Sequence, residues 1–106
     1  MSEEKEYTLQ EGEDYMDFLY RALQGQASDD RIQLLAILLE IVITELQGYS
    51  FTLSLVPKPQ EIDMIITHNG HAIKDSIMQI IDNQVSYLRY QHPAKDRHVL
   101  KLCKEK

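Results

Sequence analysis

Apolar residues recur at helical spacing along most of this chain and at every second position in one stretch. Near the start, Tyr15, Phe18, Leu19, Ala22 and Leu23 fall at i, i+3, i+4, i+7 and i+8, the stripe of an amphipathic helix. Thr8-Leu-Gln-Glu11 upstream matches a capping box, in which the Thr and Glu side chains satisfy each other's backbone donors. Gly25 would end that helix, and Gly12 leaves its start open. A second helix is predicted from Ser28 as N-cap, with Asp29 and Asp30 in its first turn, to about Gln47, with Gly48 as the terminal glycine. Apolar residues from Ile32 to Leu46 occupy most of its circumference, and Gln33, Glu40, Thr44 and Gln47 form one narrow polar stripe. Such a helix has to be covered on most sides. A second copy of the chain would supply cover that the other helices leave out.

Between Tyr49 and Val56 the period changes. Tyr49, Phe51, Leu53 and Leu55 alternate with Ser50, Thr52 and Ser54, which predicts a half-buried strand. A strand needs a partner. Within the chain, Lys5–Gln10 offers alternating Tyr7 and Leu9, and His98–Cys103 is the other internal option. Outside it, the same strand of a second copy could pair across a two-fold axis, or another protein could add a strand. An extended connector with no pairing is the remaining reading.

Pro59 suits the first position of a third helix, over Gln60–Asn69, with Ile62, Ile65 and Ile66 on one face. Asn69-Gly70 then marks a turn, unless Gly70 sits inside one long bent helix. A fourth helix is predicted from near His71 to about Gln91, with the seam Ile73, Ile77, Ile80, Ile81, Gln84 and Leu88, and Pro93 stops it. The tail is read as a short helix or an extended segment. The expected fold is mainly α: a small bundle of three to five helices with at most one short strand pairing around residues 49–56. It forms a single helical domain over 1–106, with an acidic arm at 1–7 and a basic tail at 92–106.

Composition supports a globular chain: 43% of the 106 residues are apolar and 26% charged. The lone Cys103 excludes an internal disulfide and fits a reducing compartment. The acidic N-terminus has no secretory apolar region, and the apolar run Ile32–Ile43 falls short of the ~20 residues of a membrane span. A cytoplasmic protein without a membrane partner is therefore expected. Its net charge of −6 is uneven. Residues 1–17 hold seven acids against one base, whereas 92–106 hold five bases against two acids. The two ends could pair, within a chain or between chains, or stay solvated.

The candidate chemistry is sparse. The Asn69-Gly70 turn invites a helix-turn-helix reading, but the helix after it would carry only Lys74 in its first turns and would present Asp75 and Asp82 to phosphates. His68, His71 and Asp75 would share a face of a continuous helix and could converge on a metal, although the spacing is no zinc signature. Cys103 stands between Lys101 and Lys104 but near the chain end, with no cleft implied. No glycine-rich phosphate loop or nucleophile elbow occurs. No catalytic residue, cofactor or metal site is therefore assigned. Tyr87-Leu-Arg-Tyr90 brings two aromatics and a base together near the basic tail. The function expected by elimination is protein–protein binding by a small regulator, adaptor or inhibitor, self-associating as a homodimer. Its interface residues would be Tyr49, Phe51, Leu53, Leu55, Tyr87, Arg89 and Tyr90. The acidic arm is a candidate contact for a basic partner. The alternative is a dimeric nucleic-acid-binding regulator using the basic tail and Tyr87–Tyr90.

Overall fold

A computed structural model describes residues 5–24, 27–58, 61–68, 73–83, 88–94 and 96–102. The elements in chain order are β1 (Tyr7–Thr8), α1 (Tyr15–Leu23), α2 (Asp29–Glu45), β2 (Phe51–Pro57), β3 (Ile62–His68), α3 (Ile73–Asn83), β4 (Leu88–Ala94) and β5 (Arg97–Leu102). The strands form one antiparallel sheet in the order β1-β2-β3-β5-β4. The mainly helical bundle expected from the sequence is thereby corrected: the fold is α/β, with three helices packed on a five-stranded sheet among the described residues.

The anticipated strand is present as β2, and its neighbours answer the pairing question within the chain. Tyr7 lies across from Leu55 and Thr8 across from Ser54 on one side, and β3 runs along the other from Pro57↔Ile62 to Phe51↔His68. The predicted third helix is therefore β3. Its residues look helical because Ile65, on the same face as Asp63 and Thr67, breaks the alternation and completes an Ile62–Ile65–Ile66 stripe. Ile62, Met64 and Ile66 point to the helices, while Ile65 points away with Val56 and Val99. The predicted fourth helix is shorter than expected. α3 keeps Ile73, Ile77, Ile80 and Ile81 buried, but Leu88 belongs to β4 and pairs with Leu102. The tail is β5, which lies between β3 and β4.

All three helices cover one face of the sheet. The main core joins Phe18 and Leu19 of α1, Leu35, Leu39 and Val42 of α2, and Ile73 and Ile77 of α3 to Leu53, Leu55, Met64, Ile66 and Leu100 of the strands. α2 touches α1 on one side and α3 on the other. Its broad apolar surface is thus covered by the sheet and two helices of the same chain, and a second copy is not needed for that purpose. The residue left out is Ile37, 55% exposed, in the stripe with Gln33, Glu40 and Thr44.

Local chemistry sets the element ends. Ser28 caps α2 as predicted, its side chain accepting from the Arg31 N–H. α1 begins later than the Thr8 box implied, after Asp14. Glu13 takes the reciprocal role instead: its side chain accepts from the Gln10 N–H at 3.0 Å, and its own N–H donates to the Gln10 carbonyl. Gly12 turns this loop at φ +80°, and Gly48 turns the chain from α2 into β2 at φ +96°. No described helix is long and apolar enough to cross a membrane.

Candidate functional site

The sheet has two outer edges, and both are blunted. On β1, the Thr8 carbonyl accepts from Arg21 at 2.8 Å and from the Gln10 amide at 3.0 Å, so side chains occupy the outward position. Arg21 is fixed by a two-pronged contact with Glu13, at 2.8 and 3.0 Å. The Arg21 guanidinium, helped by the Gln10 N–H, holds the Glu13 carboxyl below its ordinary value. On β4, the register breaks between Gln91 and Ala94, and Pro93 has no N–H to offer.

Among the described residues, one corner lacks such protection. β1 ends early: the last bond to β2 runs from the Leu9 N–H to the Leu53 carbonyl, 2.9 Å. Strand periodicity then turns the N–H and C=O of Phe51 to the same edge. There the chain at Gln10–Glu13 has already turned away. Beside this corner, on the helix side, opens a cleft of about 300 Å³. Leu9, Ile43, Phe51 and Leu53 give it apolar walls, and Gln10, Glu11 and Thr52 complete its lining. Tyr49, 42% exposed, stands next to it in the chain. Acidic residues are close to it along the chain. Glu11 is exposed, Asp14 and Asp17 follow it at the start of α1, and Glu40 lies three residues before Ile43 on α2.

The expected interface residues separate accordingly. Tyr49 and Phe51 stand at the corner, whereas Leu53 and Leu55 are buried in the main core beneath the helices. Arg89 is exposed. Tyr90 turns inward, packs against the core and hydrogen-bonds to His98. Tyr87 lies outside the described residues. The supposed metal trio is split: His68 ends a strand, Asp75 is exposed in the first turn of α3, and His71 lies outside the described residues. Among the described residues no three His, Cys, Asp or Glu gather in metal-binding geometry. Cys103 and His92's side chain are also outside what is described.

Two polar clusters were not legible in the sequence. The first is a chain of rings on the helix side. Nε2 of His68 lies 2.7 Å from Nε2 of His98, and Nδ1 of His98 lies 2.7 Å from the Tyr90 hydroxyl. The second is an ion network on the uncovered face. Asp63 meets Lys58 at 2.9 Å and Lys101 at 3.2 Å, and Lys101 also meets Glu61 at 3.2 Å. Burial alone pulls the Lys101 ammonium down, but bonds and charge from Asp63 and Glu61 outweigh it and hold it above its ordinary value. On the same face Arg97 reaches Glu6 at 3.4 Å, so acidic start and basic tail do touch within one chain, in an exposed pair of little energetic weight. His68 lies 30 residues from His98, and Asp63 lies 38 from Lys101, so the strand register is what brings each cluster together.

Compared with protein-family models, with curated proteins and with solved structures, the chain shows no significant match to any.

Proposed function

We propose that this protein is a binding module that docks a short, extended, basic segment of a partner protein at the open corner of β2. The observation that carries this reading is the apolar cleft beside an outward-facing strand residue. An added segment would bond to the Phe51 backbone and set one apolar side chain between Ile43 and Phe51. Its charge would be positive, because exposed Glu11 lines the cleft and Asp14 and Asp17 follow it along the chain. The same charges disfavour a second copy here, since a two-fold pairing would set these acids against themselves. Elsewhere in the chain, the ion network braces the uncovered face, and both histidines of the ring chain are buried.

A peptide-display selection on the full chain tests the proposal. Enriched peptides are expected to carry an aliphatic or aromatic residue flanked by Lys or Arg. They should lose at least tenfold in affinity on Ile43→Glu, with the folded state intact by circular dichroism. Enrichment indifferent to Ile43→Glu would place the binding surface elsewhere. A dimer that dissociates on Ile43→Glu would make the occupant a second copy.

A further inference from the structure

His68 and His98 are both buried, 5% and 0% exposed. Their ring planes are 12° apart and their centroids 4.8 Å apart. That separation is close to the largest that a 2.7 Å nitrogen–nitrogen contact permits, so the rings meet edge to edge. Two ligands of one tetrahedral zinc ion would stand roughly 3.3 Å apart, given Zn–N bonds of about 2.0 Å. The shorter contact here is an N–H···N hydrogen bond, in which one imidazole donates and the other accepts.

We propose that the His68–His98 pair is an acid-sensitive latch, which takes up one proton in place and must part to take up a second. In the neutral pair, Tyr90 donates to Nδ1 of His98, and Nε2–H of His98 donates to Nε2 of His68; the reverse sense uses the same atoms. One added proton fits. Nδ1 of His98 becomes a donor, the Tyr90 hydroxyl turns to accept, and the bond between the imidazoles survives. A second proton would face N–H against N–H at 2.7 Å. The latch joins the end of β3 to the start of β5, where the His68 N–H also bonds to the Asp96 carbonyl.

The buried side chains that α2 and α3 contribute to the core are aliphatic, Leu35, Leu39, Val42, Ile73 and Ile77 among them. Lys74 and Asp75 of α3 are exposed, as is Asp96, and Arg97 faces the other side of the sheet. Asp63 is buried, but it faces the other side as well, within its lysine pairs. His68 lies across from Phe51, so a parted latch would reach the docking corner. That consequence rests on the proposed function, whereas the latch does not.

The test needs no ligand. As pH falls through about 6.5 an unfolded chain fills both imidazoles, while the latched pair has room for only one proton. The folding equilibrium of the wild type should therefore fall about sixfold from pH 6 to 5 through this pair, approaching tenfold per unit below that, measured by urea unfolding. In His98→Gln the new amide can accept from a protonated His68, and this component should vanish. Imidazole NMR of the wild type keeps the test independent of the variant's folding. It should show a single proton shared by the two rings for as long as the fold persists. Two imidazolium rings in an intact fold, or equal pH slopes in wild type and variant, would overturn the proposal.

Discussion

Individual side chains here act through what burial does to their charge. Tyr90 is the clearest case. Desolvation pushes its phenol above the ordinary tyrosine value, so the folded state holds that proton more tightly than the unfolded chain does. The sign follows from linkage. The contribution is fully present below the unfolded value near pH 10 and is lost as pH rises through the folded value. Alkaline unfolding should therefore set in at a higher pH for Tyr90→Phe than for the wild type, and one slow-titrating phenol should disappear from the ultraviolet difference spectrum. Identical alkaline midpoints would show that Tyr90 ionises without cost. Residues of this kind give little advance signal: His98 stands among the bases of the tail in sequence, yet it is fully buried.

Elements were legible where their apolar residues keep to one face and illegible where one strays to the other. The alternation from Tyr49 to Leu55 survives because β2 has Thr52 and Ser54 on its other face, and the caps and stripes of α1 and α2 survive for the same reason. β3 carries Ile65 on one face and Ile62, Met64 and Ile66 on the other, so its pattern fits a helix equally well. Leu88 continued the Ile77–Ile81–Gln84 seam by chance, and only the sheet register shows that the helix has already ended. β1 could be recognised only as an option, since Tyr7 and Leu9 are too few to outweigh a capping motif over the same residues. Its two residues are secured from outside by Arg21. Arg21→Ala should accordingly release β1 alone. Hydrogen exchange is expected to speed up at Leu9, whose N–H bonds to Leu53, while the amides of Met64 and Ile66 keep their protection. Loss of protection throughout β3 would mean that β1 is integral to the sheet and not an outer flap.

At the scale of the whole molecule, the missing sheet misdirected the reading of function. A helix apolar all round implied surface left over for a second copy, but α2 lies in the middle of its layer and is covered by α1, α3 and the strands. The surplus disappears, and the open corner of β2 remains as the place where apolar walls and an outward backbone coincide beside exposed Glu11. Tyr49 and Phe51 were legible as part of it from their period; Leu9 and Ile43 were not, because they come from other elements. The central claim is docking of a basic extended segment at this corner. It is tested most directly by amide NMR of the full chain titrated with a short peptide alternating lysine with leucine, against a matched peptide alternating glutamate with leucine. The account predicts saturable shifts from the lysine peptide confined to Leu9–Glu11, Ile43 and Tyr49–Leu53, and none from the glutamate peptide. Equal responses to both peptides, or shifts centred on another surface, would contradict it.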